Sequence, residues 1–228
     1  MTGSTPAPHK KEETMPSESQ SSFFSRITTA LADRGPRFDL PDNLEAARVV
    51  PTNADLVETF FTRVQQAGMH PHRVTGDQAV VAKVLEIVDN MPVVSAIVPA
   101  EELPAREAIL AALEDRGIKL YSPDERDSSF EADIGITGVR MAVAESASMS
   151  VVSGGTHRRL ASLAVPAHIA LVRANQIVAD LLDWGRSASG TPTANEVLIS
   201  AMSKTADIEG ILVPGVHGPG TVHVIIIE

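Results

Sequence analysis

The sequence predicts an α/β fold built on a mostly parallel sheet flanked by helices. Three observations carry that expectation. Short extended runs are separated by helical segments of about 10–15 residues, the spacing of βαβ units. The run Pro92–Val98 is short, apolar and β-branched, as in a strand covered on both faces. Charge is uneven, because the last 88 residues hold only 12 of the 48 Asp, Glu, Lys and Arg side chains. The sheet centre therefore belongs to the C-terminal half.

The elements follow in order. Residues 1–22 are Ser, Thr, Pro, Glu, Lys and Gln with almost nothing to bury, the composition of a disordered tail. Residues 23–51 hold a short amphipathic helix, opened by Phe23, Phe24 and Ile27, and a Pro-rich charged connector. A single α/β domain is expected over residues 52–228. Its first helix carries Leu56, Phe60, Val64 and Ala67 at spacings of three and four, with Thr52 or Asn53 as cap and Gly68 at the end. An extended piece at His72–Val74 leads to a helix over Asp77–Val88, read from Val80, Val81, Val84, Leu85 and Val88. After Pro92–Val98, Pro104 opens a helix over Ala105–Arg116, closed by Gly117, and Ile118–Tyr121 is again extended.

In the charge-poor half, Met141–Ala144 and Met149–Val152 read as strands joined by a short Ser-rich connection. Ala167–Val172 is a strand, Ile177–Trp184 a helix, Val197–Ser200 a strand and Val222–Ile227 a final strong strand.

Composition narrows function. With no cysteine, the chain cannot hold a disulfide, a thiolate-ligated zinc or iron–sulfur cluster, or a thiol nucleophile. A formal charge of −10 argues against general nucleic-acid binding, which needs a basic face. No run reaches the roughly 20 apolar residues of a membrane span, and no apolar stretch follows Lys10 and Lys11, so a cytoplasmic protein is expected.

Four segments carry candidate chemistry. Glu145, at the end of an apolar strand and followed by Ser146 and Ser148, reads as a general base or acyl acceptor, or else as a partner of Arg140. Ser153-Gly154-Gly155-Thr156-His157-Arg158-Arg159 can turn sharply and present N–H groups to an anion, though it also suits a plain surface turn. It matches neither the phosphate-loop nor the dinucleotide-binding glycine spacing. Ser203-Lys204-Thr205-Ala206-Asp207-Ile208-Glu209-Gly210 fits a helix start, capped by Ser203 or Thr205 with Asp207 and Glu209 in the first turn. It equally fits a ligand-binding junction at the carboxyl end of a parallel sheet. Gly215-Val216-His217-Gly218-Pro219-Gly220 is a tight loop that can present an imidazole to a cleft. His168 reads as a satisfied core histidine. His70 and His72 share a strand face, with no third metal ligand evident beside them.

Taken together and in order, these segments resemble the lactate-utilisation (LUD domain) family, specifically its LutC/YkgG type. The resemblance rests on Ala132-Asp-Ile-Gly-Ile-Thr-Gly138, Ala142-Val-Ala-Glu-Ser146, Ser153-Gly154 with Arg159-Leu-Ala-Ser-Leu163, and Ala167-His-Ile-Ala-Leu-Val172. Ser203-Lys-Thr-Ala-Asp-Ile-Glu-Gly210 and Gly215-Val-His-Gly-Pro219 complete it. It departs at Ser146-Ala147-Ser148, where the family usually has Thr-Gly-Thr, and at Lys204, which is Arg in many members.

The resemblance implies a fold of the NagB/RpiA/CoA-transferase-like kind and a part in oxidising L-lactate to pyruvate. In such a system this chain carries no redox cofactor, and cysteine-rich partner chains hold the iron–sulfur clusters. The expected site for a small anion comprises Glu145, His217 and Asp207 as catalytic candidates. Thr137, Gly138, Ser153, Gly154, Ser203, Thr205, Glu209 and Gly218 are its binding candidates. A stand-alone CoA-transferase- or sugar-phosphate-isomerase-like enzyme, or a non-catalytic assembly component, is the alternative. A homo-oligomer fits any of these.

Overall fold

The apolar periodicity becomes two units, Met1–Ala46 and Ala47–Glu228, in the computed structural model of the chain. The structure describes residues 19–32, 43, 45–51, 53–100, 102–122, 127–154, 159–187, 193, 195–205 and 212–228. In the first unit helix α1 (Gln20–Ala32) has no buried residue. Its Phe23 and Phe24 meet edge to face at 5.7 Å.

The second unit runs α2 (Leu56–Gln66), β1 (His70–Val74), α3 (Asp77–Asp89), β2 (Ser95–Ile97), α4 (Arg106–Asp115), β3 (Lys119–Tyr121) and α5 (Ser128–Glu131). Next come β4 (Ile134–Gly138), β5 (Met141–Val143), β6 (Ser148–Ser153), α6 (Leu160–Leu163), β7 (Ala167–Arg173), β8 (Ile177–Val178) and α7 (Leu181–Ser187). The chain closes with β9 (Asn195–Ile199), β10 (Lys204–Thr205), β11 (Val213–Pro214) and β12 (Thr221–Ile227). Arg48 and Val50, placed by sequence in the connector, belong to this body, and Val50 is in its core.

Six strands form one wholly parallel sheet in the order β1-β12-β7-β4-β2-β3. Its centre is β12, β7 and β4, in the C-terminal half as the charge distribution predicts. Strand alternation divides the core. One face directs Ile134, Ile136, Ile169, Leu171 and Ile225 against Val80, Val84, Ile109 and Leu113 of α3 and α4. The other directs Ala170, Val172, Val222, Val224 and Ile226 against Phe60 and Val64 of α2. There they also meet Ala142, Met149, Val151 and Ile199 of a second sheet ordered β8-β5-β6-β9.

That second sheet corrects the sequence reading, which gave no separate place to these strands. Along β6 the residues Ser148 and Ser150 alternate with Met149 and Val151, and the apolar pair faces the core. Ser148 and Ser150 are nonetheless buried. Ser150 donates to Glu196, which also accepts from Arg140 at 2.8 Å and from Trp184 Nε1 at 3.3 Å.

Three local expectations change as well. Asp55, not Thr52 or Asn53, caps α2, accepting from the Glu58 amide at 3.0 Å. The helix expected over Ile177–Trp184 splits, because Ile177 and Val178 pair in parallel with Ala142 and Val143. Asp180 then caps α7 by accepting from the Asp183 amide at 2.9 Å. Arg48 clamps this turn, donating to Asp180 at 2.7 Å and to Asp183 at 2.8 and 2.9 Å. Third, Lys204 and Thr205 form a strand, pairing antiparallel with Pro214 and Val213, while the first helical turn expected at Asp207 and Glu209 lies outside the described residues.

Candidate functional site

The site is built where the Ser203–Thr205 and Gly215–Gly220 segments meet. The Ser203 amide donates to the Pro219 carbonyl at 2.8 Å, and the Gly215 amide donates back to the Ser203 carbonyl at 2.9 Å. Gly220 donates to Pro166 at 3.0 Å, fixing the loop beside the turn that precedes β7. Gly215 has φ +76°, a conformation open to glycine, and a Cβ on Gly218 would stand 3.0 Å from the Leu163 carbonyl oxygen. Both glycines therefore have local reasons.

These bonds place the loop at the amino ends of β7 and β12, since Pro166 and Gly220 immediately precede Ala167 and Thr221. The sequence reading anticipated a strand-to-helix junction at the carboxyl ends. The β10–β11 pairing instead carries the chain across the opposite end of the sheet.

Beside the loop lies a cleft of about 500 Å³. Leu160, Leu163, Val165 and Phe130 form an apolar wall, and Val216, His217 and Gly218 face it from the loop. His217 is exposed. Gly215 and Gly220 spend their N–H groups on Ser203 and Pro166, whereas those of Val216, His217 and Gly218 make no backbone hydrogen bond among the described residues. Three consecutive free donors after a glycine of positive φ can cradle an anion.

A second polar group adjoins it in sequence. Ser146, Ser148 and Ser200 form a chain of hydroxyls with both Oγ–Oγ separations at 2.7 Å. Glu145 precedes this chain in the β5–β6 turn, half-buried, its amide donating to the Ala179 carbonyl at 3.0 Å. Its carboxylate forms no ion pair among the described residues. Arg140, the partner sequence reasoning offered, is engaged by Glu196. Ala201 and Met202 separate Ser200 from Ser203, a span of at most about 11 Å.

The remaining candidates fall elsewhere. Thr137 is buried, and its hydroxyl is 2.9 Å from His168 Nε2. Gly138 ends β4. Ser153 pairs with Asn195 at the far end of β6, five residues or roughly 17 Å from Ser148, and Gly154 follows it. Thr205 lies on β10. Asp207 and Glu209 lie outside the described residues. Of the candidates, the structure brings together Ser203, His217 and Gly218, and sets Glu145 one short segment away.

His168 departs from the satisfied core histidine expected of it. Its Nδ1 has no partner, and burial lowers its pKa to about 4. Sequence reasoning missed the hydroxyl chain to Ser200 and the apolar wall from α6. A usable signal for the first was the period-two placement of Ser146, Ser148 and Ser150. Among the described residues no group of three or more His, Asp or Glu is suited to a metal ion, and no helix is long and apolar enough to cross a membrane.

A parallel sheet covered by α3 and α4 on one face and by α2 and a small mixed sheet on the other, with a glycine loop beside an apolar cleft, defines an α/β domain. The chain belongs to the LUD domain family, whose profile matches residues 57–227. It is 36% identical over 112 residues to lactate utilization protein C 1 of Bacillus mycoides, covering 46% of this chain and 48% of that protein. It is 35% identical over 105 residues to lactate utilization protein C of Halalkalibacterium halodurans, covering 43% of this chain and 45% of that protein. The chain thus spans about half the length of the curated relatives it matches. A crystal structure of a DUF162 family protein from Deinococcus radiodurans shares the fold, with TM-score 0.57 and 19% identity over 78% of this chain and 99% of that one.

Proposed function

We propose that this chain serves lactate utilisation as a LutC-type component of a system that oxidises L-lactate to pyruvate, and that it binds a small carboxylate at the Gly215–Gly220 loop. The observation that carries the site is that Val216, His217 and Gly218, whose N–H groups make no backbone hydrogen bond among the described residues, line a cleft with an apolar wall. In this reading the amides hold the carboxylate, the wall takes the aliphatic part, and His217 holds or moves a proton. Asp207 and Glu209, in the connection between β10 and β11, orient the hydroxyl-bearing segment. Electrons pass to iron–sulfur partner chains, because a chain without cysteine supplies no thiolate ligands. Relatives named for lactate utilisation support the pathway.

The test is reconstitution of lactate oxidation from purified partner chains with and without this protein. Loss of activity on omission, with physical association, is expected; unchanged activity without association overturns the reading. A thermal-shift series with lactate and pyruvate tests the site separately. Ligand at 100 times its dissociation constant stabilises the fold by about 2.7 kcal/mol.

One observation favours a second reading. Glu145 is half-buried, has no ion pair among the described residues and precedes a chain of hydroxyls, an arrangement suited to an acyl acceptor in a CoA-transferase-like reaction. A hydroxylamine-sensitive adduct at Glu145 after incubation with CoA thioesters supports it, and its absence across a panel counts against it.

A further inference from the structure

His70 and His72, unpartnered in the sequence, acquire a third histidine through the fold. Strand β1 is the edge of the six-stranded sheet, and its one sheet neighbour among the described residues, β12, aligns His223 with His70 and Ile225 with His72. The His70 and His223 rings stack at 4.9 Å between centroids and 27° between planes. His72 and His223 lie at 5.3 Å and 21°, with His72 Nε2 3.1 Å from His223 Nδ1. That last contact is a hydrogen bond only while one of the two nitrogens lacks a proton. The rings stack along the seam and do not converge on a point, which suits a shared proton better than a metal.

We propose that His70, His72 and His223 form a proton-sensitive seam that releases the edge strand β1 from β12 in mild acid. When both His72 and His223 carry a second proton, two N–H groups and two like charges face each other at 3.1 Å, and a protonated His70 adds a third charge in the stack. The surroundings supply little compensation. Helix α3 presents Lys83 and Glu86 to the seam, and Glu86 is already committed to Lys83. Strand β7 places Ile169 beside His223, and Arg73 of β1 pairs with Glu58 of α2 and with Glu228.

The direction of the effect agrees. Burial, followed by the charges of His70 and His72, lowers His223 to about 4, and burial with the Lys83 charge lowers His72. A folded-state pKa below the unfolded value of 6.5 means the seam is intact above that pH and weakens as pH falls toward 4.

The test is hydrogen exchange on the full chain at pH 7.5 and 5.0, with rates corrected for intrinsic exchange. Opening of β1 and its β12 neighbours is expected to rise on the order of tenfold or more, with β2 and β4 much less affected. The pair H72Q and H223Q is expected to abolish the local response. An equal response in that variant, or uniform loosening of all strands, overturns the proposal. Imidazole NMR titration of the unmutated protein decides the matter if the variant fails to fold: independent titrations of His72 and His223 near 6.5 overturn it, and depressed, coupled titrations of that pair uphold it. Stabilisation by zinc at pH 7.5, lost in the variant, would make the cluster a metal chelate and overturn the proton reading.

Discussion

The two faces of the parallel sheet are built by different rules. Toward α3 and α4, the central strands present Ile134, Ile136, Ile169, Leu171 and Ile225, an aliphatic surface with His223 at its β1 edge. Toward α6 and the second sheet, the same strands present Gly135, Thr137 and His168 among smaller apolar residues. A Cβ on Gly135 would stand 1.7 Å from the Ala161 carbonyl oxygen, so backbone meets backbone there. The loops of the candidate site rest on this second face. The aliphatic core and the candidate site thus lie on opposite sides of one sheet, and the second side gives up packing freedom to hold the loops close.

Substitutions can break or sharpen that division. The largest effect is expected from Gly135→Ala, because α6 cannot keep its seat over β4; thermal unfolding should show a loss of about 3 kcal/mol or more. Nearly as large is Arg48→Ala, which leaves the buried Asp180 without its guanidinium at the edge of the second sheet; urea melts should lose roughly 2–3 kcal/mol.

Next comes pH. His168 is neutral in the fold with a pKa of about 4 against 6.5 unfolded, so its contribution is complete above 6.5 and declines toward 4. Between pH 7.5 and 5.0 its share of the loss should be about 2 kcal/mol, and His168→Gln should remove that share from stability curves. The smallest effect belongs to the helical face. Ile109→Val should cost about 1 kcal/mol at either pH, as a pure loss of volume. A pH-dependent Ile109→Val, or a tolerated Gly135→Ala, would erase the distinction between the faces.

Legibility in the sequence follows the same line. Helix α3 was readable because Val80, Val84 and Val88 recur at helical spacing, α4 because Pro104 and Gly117 bracket it, and β7 and β12 because their apolar runs are long. The splitting of Ile177–Trp184 was not readable. Ile177 and Val178 are held extended by Ala142 and Val143, a pairing that local periodicity does not encode. The pairing of Lys204–Thr205 with Val213–Pro214 was not readable for the same reason, since it joins segments that local sequence does not relate. At the candidate site, the glycine loop and His217 were visible, but their partner wall from α6 was not. Thr137 looked available from its place in a motif and is instead engaged with His168.

The strand order also sets a schedule for synthesis. Among the described residues strand β1 pairs with β12 alone, and His72 and His223 are 151 residues apart. At ribosomal rates of about 5–20 residues per second, β1 and the apolar side of α2 wait roughly 8–30 s for that neighbour to be made. Until then the nascent chain displays an open strand edge and the side chains of Phe60 and Val64, the surface that chaperones and aggregation compete for. Lesions in Thr221–Ile227 should therefore appear first as losses of yield in the cell, before any assay of the finished protein registers them.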